Sequence, residues 1–282
     1  MFKINKHDVT NCDIDIFGDW INQDLKVHTN PYKYCILTNF LKEDVYENIF
    51  NAFPEKPNEH FYKYYNPIEV KYALDKFDFI DDKIKNLFYA LSHEKLIQKF
   101  KDTFKIDNLE YDPYLHGGGI HMHPKNGRLN MHLDYEKHPL MNKQRRLNII
   151  FYVNKEWKQE WNGDTQLWDS DMKQCVVKSY PKFNTAIIFE TSELSWHGVP
   201  EIISCPQNDY RKSIAYYYVS PLVNKKDNNK VGANNKGYRT KATFVKRPND
   251  EYDERMETLY KIRPNRRITE DDMKLLWPEW KA

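Results

Sequence analysis

Apolar residues recur at spacings of three and four in the first hundred residues, and this period predicts amphipathic helices. One predicted helix runs from Leu41 to Phe53 and is ended by Pro54. A second begins at Asp81 and Asp82, and a third is predicted to be capped by Ser92. A helix with one apolar face must bury it against a partner, and the predicted partner is the sheet that follows.

From Leu109 onward the pattern changes to short segments rich in β-branched and aromatic residues, separated by turn residues. The predicted strands are 109–115, 129–134, 145–153, 165–168, 174–179, 185–190, 198–203 and 211–219. The absence of strand–helix–strand alternation argues against a Rossmann-type fold and favours an antiparallel sandwich or barrel of the jelly-roll kind. We therefore predict a mainly β fold with flanking helices, in the α+β class.

The remaining segments are less regular. Before the core, residues 1–30 are predicted to form an irregular arm or an edge strand, residues 34–37 are predicted to form a strand, and the aromatic-rich stretch 54–80 has no clear period. After the core, residues 224–236 are predicted to form an exposed loop or linker, and residues 238–247 a further strand. Helices are predicted at about 250–262 and from Thr269. The predicted organisation is an N-terminal support region of strand and helices (1–108), a β core (109–221) and a C-terminal extension (222–282), all within one compact domain.

Composition narrows the class of protein. The net charge of +2 over 282 residues predicts no general affinity for nucleic acid or membrane surfaces. The four cysteines form no CxxC pair, so free thiols in a reducing compartment are expected. With no signal-peptide pattern and no apolar run of membrane-spanning length, we expect a cytoplasmic protein. The oligomeric state is left open.

The candidate chemistry centres on His132 and Asp134, which are two residues apart on a predicted strand and so point to one face. A second imidazole from His197 would complete two histidines and one carboxylate, the ligand set of non-haem Fe(II) oxygenases. His121 and His123 share the spacing, but no carboxylate follows two residues later. We predict loop or sheet-edge positions for this second pair, and no metal-ligand role.

Arg211 and Ser213 share one face of the last predicted strand. A guanidinium inside an apolar barrel needs an anionic partner, and its planar fork suits a carboxylate, so the pair predicts a receptor for a 2-oxo diacid that also reaches the metal. Further candidates are Asn148 and Tyr152 for this cosubstrate, and, for a substrate pocket, Tyr114, Tyr135 and Trp196. Tyr216–Tyr218 is expected to alternate between core and surface, Lys143–Arg146 to be a solvated face, and His138 to be a turn residue.

Several motifs in order resemble one known family. They are GRLNMHLD at 127–134, RLNIIFYVN at 146–154, WNGDTQLW at 161–168, NTAIIF at 184–189 and WHGVP at 196–200. Together they resemble the 2-oxoglutarate- and Fe(II)-dependent dioxygenases, in particular the prolyl 4-hydroxylase-like branch. Two positions depart from the usual pattern of that branch: Arg211 stands where prolyl hydroxylases often carry lysine, and Asn162-Gly163 replaces a double glycine.

The resemblance implies a double-stranded β-helix core, with His132, Asp134 and His197 as iron ligands and with Arg211, assisted by Ser213, on the distal carboxylate of 2-oxoglutarate. It implies an oxidoreductase that uses O2 to hydroxylate an unactivated C–H bond and releases succinate and CO2, with peptidyl proline as the nearest analogy. A small metabolite or sugar-linked substrate is the alternative. A non-catalytic cupin-like metal-binding protein and a zinc hydrolase also stay open.

Overall fold

The computed structural model describes residues 3–223 and 237–280, so the predicted loop at 224–236 lies outside the described residues. The helices are α1 Lys6–Asn11, α2 Glu43–Ala52, α3 Asp82–Ser92, α4 Glu94–Phe104, α5 Glu254–Ile262 and α6 Glu270–Leu276. The strands are β1 Tyr34–Thr38, β2 Tyr62–Asn66, β3 Glu69–Leu74, β4 Glu110–Tyr111, β5 Gly119–Pro124, β6 Arg128–Leu133, β7 Lys143–Tyr152, β8 Thr165–Trp168, β9 Cys175–Ser179, β10 Thr185–Glu190, β11 His197–Val199, β12 Tyr210–Pro221 and β13 Thr243–Phe244.

The strands form one antiparallel sheet that folds back on itself. Its order is β1-β10-β7-β12-β5-β3-β6-β11-β8-β9, with β2 paired to β3, β4 to β12 and β13 to β6. The eight consecutive strands β5–β12 therefore make two four-stranded layers, β10-β7-β12-β5 and β6-β11-β8-β9, as a double-stranded β-helix requires. The predicted jelly-roll core is confirmed.

The helices before the core cover the outer face of the first layer, as predicted. Ile214, Tyr216 and Tyr218 of β12 belong to the same buried cluster as the apolar faces of α3 and α4. Phe100 of α4, for example, packs edge-on against Tyr218 with ring centroids 5.4 Å apart. The expectation that Tyr216–Tyr218 alternates between core and surface is wrong, because the opposite face, which carries Tyr217, is buried in the barrel interior.

One of the two predicted helix caps is confirmed and the other is wrong. Asp81 caps α3 by accepting a hydrogen bond from the backbone nitrogen of Lys83, as expected. Ser92, however, is the last residue of α3 and does not cap α4; His93 does so through its ring nitrogen. The Ser92 hydroxyl instead donates to the Phe88 carbonyl in the preceding turn, which holds it inside α3.

The aromatic-rich stretch 54–80 contains the β2–β3 hairpin, which lies between the adjacent edges of the two layers of the barrel. Strand β3 pairs with β5 on one side and with β6 on the other. Gly119 permits this close approach, because its φ is +85° and a Cβ there would lie 2.1 Å from the Leu74 carbonyl oxygen. The prediction of loop or sheet-edge positions for His121 and His123 is wrong, because β5 is paired on both sides.

Three predicted strands are shorter in the structure. The 109–115 strand is reduced to β4, because the Asp112 carboxylate accepts from the Tyr114 backbone nitrogen and turns the chain. The 198–203 strand is β11, which starts at His197 and ends at Val199. The 238–247 strand is β13 alone.

The C-terminal helices pack on the outside of β6 and the hairpin through a second apolar cluster. Its buried members are Ile68, Ala242, Phe244, Leu259, Tyr260, Met273 and Trp277. The hairpin from the first predicted segment and β13 from the last both pair with strands of the core. No helix in the described ranges has the length and apolar character that a bilayer crossing requires.

Candidate metal centre

Three side chains from two neighbouring strands converge inside the barrel. His132 lies on β6, His197 lies directly opposite it on β11, and Asp134 follows the end of β6. The Nε2 atoms of His132 and His197 lie 3.7 and 3.6 Å from the two Asp134 carboxylate oxygens, and one ligand atom from each residue lies within 4.8 Å of the others. The three residues are at most 8% exposed. This arrangement could hold one metal ion.

Backbone carbonyls fix the tautomer of both imidazoles. Nδ1 of His132 donates to the Asn130 carbonyl at 2.9 Å, and Nδ1 of His197 donates to the Ser195 carbonyl at 2.8 Å. A carbonyl only accepts, so each Nδ1 carries the proton and each Nε2 lone pair faces the convergence point. Burial, together with the neighbouring His197, lowers the pKa of His132 to about 3, which keeps this imidazole neutral as a ligand must be.

Asp134 is held ionised by its neighbours. Burial raises its pKa, but His197, Arg145 and His132 outweigh burial, and the pKa is lowered to about 2. The Arg145 guanidinium lies 3.7 Å from one carboxylate oxygen, and the Asn148 amide lies 3.4 Å from the other. Asn148, predicted to contact the cosubstrate, therefore also approaches the carboxylate of the triad.

Arg145 is a residue that the sequence reasoning missed. The charged run Lys143–Arg146 was expected to be solvated, but Arg145 is 3% exposed, and its guanidinium lies between two aromatic rings, 3.6 Å from the Tyr135 centroid and 3.4 Å from that of Tyr217. The prediction is wrong for this residue because β7 carries it into the barrel interior. A guanidinium stacks favourably on aromatic faces, which offsets part of the cost of its burial.

Arg211 provides a second charged group inside the barrel. It is 1% exposed, and its Nε donates to the Gly163 carbonyl at 2.5 Å, while the two Nη atoms lie 2.9 Å from Thr165 Oγ1 and 3.3 Å from Ser213 Oγ. In residues 3–223 and 237–280 the guanidinium forms no ion pair within 4.0 Å, and its hydrogen bonds go to neutral groups of Gly163, Thr165 and Ser213. Burial lowers the pKa of Arg211 and outweighs Asp164, which favours the charged form from a longer distance. A buried cation without a carboxylate in direct contact is costly, and an anionic ligand would reduce that cost.

The backbone at Asn162-Gly163 accounts for the departure from the usual double glycine. Asn162 and Gly163 both have positive φ, +60° and +91°, and a Cβ on Gly163 would lie 3.2 Å from Cδ of Arg211. Asparagine is one of the few other residues that tolerate such a backbone. The turn thus keeps the Gly163 carbonyl against Arg211.

His121 and His123 line the same interior face as the arginine. In the register of β5 and β12, His123 lies opposite Arg211, and His121 lies opposite Ser213. His123 is 2% exposed, and neither of its ring nitrogens has a hydrogen-bond partner in the part of the chain that is described. Burial, then Arg211 and Lys71, hold its pKa well below the usual range, so it is neutral. The sequence carries no local signal for this position, because it depends on the pairing of β5 with β12.

The other predicted cosubstrate and pocket residues are distributed around this interior. The Tyr152 ring lies 5.2 Å from the Arg211 guanidinium, and its hydroxyl lies 2.9 Å from Thr165 Oγ1. Tyr135 donates to the His116 carbonyl beside Arg145. Trp196 precedes His197, but its indole nitrogen donates outward to the Ser170 carbonyl. The structure therefore brings Tyr135 and Tyr152 to charged groups of the site.

Tyr114 lies in a separate buried group. Its ring centroid is 5.8 Å from that of His138, and Nε2 of His138 is 3.2 Å from an Asp112 oxygen. His138 immediately precedes the turn at 139–140 and is 1% exposed, so it is a core residue at the start of that turn. Neither Tyr114 nor His138 is brought into the triad.

The sequence of the core matches a known family. Residues 118–219 match the family model described as the 2OG-Fe(II) oxygenase superfamily. Over 83 residues, 28% of this chain, the sequence is 31% identical to the mouse protein named prolyl 3-hydroxylase OGFOD1, and the match spans 15% of that protein's length. The three residues of the triad and Arg211 all lie within the matched segment.

Solved structures of similar proteins were also found. A Pseudomonas putida prolyl 4-hydroxylase has 13% identity and a TM-score of 0.48, covering 67% of this chain and 93% of that one. A Trichoplax adhaerens prolyl hydroxylase, solved with a hypoxia inducible factor peptide fragment, has 15% identity and a TM-score of 0.46, covering 73% and 89%.

Residues 118–219 thus resemble a domain of the 2-oxoglutarate- and Fe(II)-dependent oxygenase superfamily, and the strand order and buried triad of the structure agree with that class. The similarity over 83 residues to a prolyl hydroxylase supports the resemblance stated from the motifs.

Proposed function

We propose that the protein is an Fe(II)- and 2-oxoglutarate-dependent dioxygenase that hydroxylates an unactivated C–H bond of a prolyl residue in a peptide or protein. The observation that carries the proposal is the presence, in one barrel, of a triad of two histidines and one carboxylate and of a buried Arg211 that forms no ion pair within 4.0 Å among the described residues. The match of 118–219 to the superfamily supports the chemistry, and the partial similarity to a prolyl hydroxylase supports the substrate class.

The residues fit the groups that this chemistry requires. Two imidazoles and one carboxylate leave positions on an octahedral metal open, as the facial triad of non-haem iron oxygenases does. His132, Asp134 and His197 would hold Fe(II), and Arg211 with Ser213 would hold the distal carboxylate of 2-oxoglutarate. When bound, iron with 2-oxoglutarate and O2 supplies the oxidising power: one oxygen atom enters the substrate C–H bond, and the other enters succinate as CO2 leaves.

The chain's own residues set the conditions for that reaction. The Asn130 and Ser195 carbonyls keep both imidazoles in the tautomer that presents Nε2. Arg145 keeps the Asp134 carboxylate ionised and is itself held between Tyr135 and Tyr217. The three triad residues are at most 8% exposed, and Phe189 packs on the His197 ring with centroids 4.7 Å apart, so little of the triad faces water.

His123 is assigned to the cosubstrate pocket in this proposal. It lies opposite Arg211 on the neighbouring strand, and both of its ring nitrogens lack partners among the described residues. A neutral imidazole can donate one hydrogen bond to a carboxylate oxygen, and this bond would satisfy a buried group that otherwise costs about 1–3 kcal/mol. Tyr152 would complete the same end of the pocket with its ring beside the guanidinium.

A turnover assay tests the proposed function. The full chain, loaded with Fe(II), is given 2-oxoglutarate and proline-containing peptides, and matched peptides with alanine at the same position serve as controls. We expect CO2 release in stoichiometric ratio with a peptide that gains one oxygen atom at proline, seen by mass spectrometry. If only small metabolites stimulate turnover, the prolyl substrate is wrong and a small-metabolite hydroxylase takes its place. Binding of both iron and 2-oxoglutarate without any decarboxylation would favour the non-catalytic metal-binding protein.

A further inference from the structure

The C-terminal extension contacts the metal centre directly, through a segment that we call the C-terminal strap, residues 239–245. The superfamily match ends at residue 219, so the strap lies outside the matched domain. Strand β13 within the strap extends the layer of β6, pairing Thr243 with Leu133 and Phe244 with His132. The Phe244 ring stacks on the His132 imidazole, with centroids 5.0 Å apart and planes 21° from parallel.

Arg239, at the start of the strap, joins the two chain segments that carry the ligands. Its Nε donates to the Asp134 carbonyl at 3.3 Å, and its Nη2 donates to the Ser192 carbonyl at 3.2 Å. Ser192 belongs to a tight turn in which its backbone nitrogen donates to the Ser195 hydroxyl. The Ser195 carbonyl in turn accepts the Nδ1 proton of His197. A single guanidinium thus connects the backbone of one ligand with the turn that orients another.

Glu136 fixes the arginine in this position from both ends. A Glu136 carboxylate oxygen lies 3.5 Å from Nη1 of Arg239 and accepts from its backbone nitrogen at 3.1 Å. The backbone nitrogen of Glu136 donates to the Arg239 carbonyl at 2.8 Å. Arg239 is 3% exposed, so these charge-assisted bonds are formed away from solvent, where they are strong and geometrically selective.

We propose that Arg239 is a positioning residue for the metal centre, and that the C-terminal strap sets the affinity of the His132–Asp134–His197 triad for Fe(II). The strap touches the segment of every ligand: Phe244 packs on His132, and Arg239 bonds to the Asp134 backbone and to the turn before His197. Outer-shell groups that orient metal ligands typically change metal affinity by about 10–100-fold when they are removed. This inference rests on the proposed metal-binding role of the triad, but not on the substrate.

The variant Arg239→Met removes the guanidinium and its hydrogen bonds while keeping a side chain of similar volume. Fe(II) dissociation constants are measured without O2, by competition with a chromophoric chelator, for wild type, Arg239→Met, Arg239→Lys and the control Arg247→Met. Arg247 lies just beyond the strap and pairs with Asp250 and Glu201, so the control also breaks partly buried ion pairs. We expect affinity to fall about 10–100-fold in Arg239→Met, with partial rescue by lysine and no change in the control.

Thermal unfolding of the metal-free proteins separates positioning from folding. A merely structural arginine would lower the melting temperature of Arg239→Met and leave Fe(II) affinity equal to that of wild type, and this result would overturn the proposal. If Arg239→Met does not fold, Fe(II) affinity is compared between wild type and the variants Arg239→Lys and Glu136→Gln. Fe(II) affinity equal to that of wild type in both variants would also overturn the proposal. A wild-type protein that binds no Fe(II) would instead reject the metal-binding role of the triad, which distinguishes the two failures.

Discussion

Replacing His197 with alanine is expected to weaken Fe(II) binding by more than about 100-fold and to abolish 2-oxoglutarate turnover. Loss of an outer partner of a ligand already costs about 10–100-fold in affinity, and loss of the ligand itself should exceed that range. His197 is the preferred ligand for this test because Arg145 still faces the Asp134 carboxylate when the neighbouring imidazole is removed, so that carboxylate keeps a counter-ion. The measurement is Fe(II) affinity by chelator competition, followed by succinate formation at saturating 2-oxoglutarate.

Truncation of Asp134 should give the same loss of iron with a larger loss of stability. Its carboxylate faces Arg145, and removal of one partner from a buried ion pair typically costs about 3–5 kcal/mol because the other charge stays buried. His7→Ala is the control, since the His7 side chain is 85% exposed and far from the barrel in sequence. Retention of wild-type Fe(II) affinity by His197→Ala would exclude this histidine from the metal centre.

Replacing Arg211 with methionine is expected to weaken 2-oxoglutarate binding by about 2–5 kcal/mol, which is roughly 30-fold to several thousand-fold in affinity. The guanidinium is buried without a carboxylate partner among the described residues, so the distal carboxylate of the cosubstrate would be its counter-ion. Fe(II) affinity without 2-oxoglutarate should be unchanged, because none of the hydrogen bonds of Arg211 goes to the triad. The measurement is 2-oxoglutarate titration of the iron-loaded, oxygen-free protein.

A matched ligand separates the distal carboxylate from other effects. Wild type should bind a 2-oxo acid that lacks the distal carboxylate far more weakly than 2-oxoglutarate, whereas Arg211→Met should bind the two alike. Lys212→Met is the control, since Lys212 is the next residue on β12 and its Nζ lies 5.6 Å from the Phe53 ring on the outer face. Equal discrimination by wild type and Arg211→Met would remove Arg211 from the cosubstrate site.

The convergence of the triad could be predicted because it depends on local rules and family motifs. His132 and Asp134 are two residues apart at the end of one strand, and the WHGVP motif contains the third residue of the triad, His197. The helices on the outer face followed from their apolar period in the same way. The triad motifs and the apolar period of the helices are each contained in short segments of the chain, and the sequence alone was therefore sufficient to predict them.

The features that sequence reasoning missed depend on strand partners that are distant in the chain. His123 looks like a loop residue next to Pro124, but pairing with β12 brings it opposite Arg211. Arg145 belongs to a charged run that looks solvated, and only the rings of Tyr135 and Tyr217 make its burial favourable. Likewise, nothing local to Arg239 indicates that it bonds to the backbone of Asp134.

The central claim is that three side chains bind one Fe(II) beside a receptor for one 2-oxo diacid, and a spectroscopic titration without O2 tests it most directly. Fe(II) is added to the full chain, 2-oxoglutarate follows, and the visible charge-transfer band of an Fe(II)–2-oxo acid chelate is recorded. The account predicts that the band saturates at one iron and one 2-oxoglutarate per chain and is lost in His197→Ala. Iron binding that produces no such band with 2-oxoglutarate, or a protein that binds Zn²⁺ but not Fe(II), would contradict it.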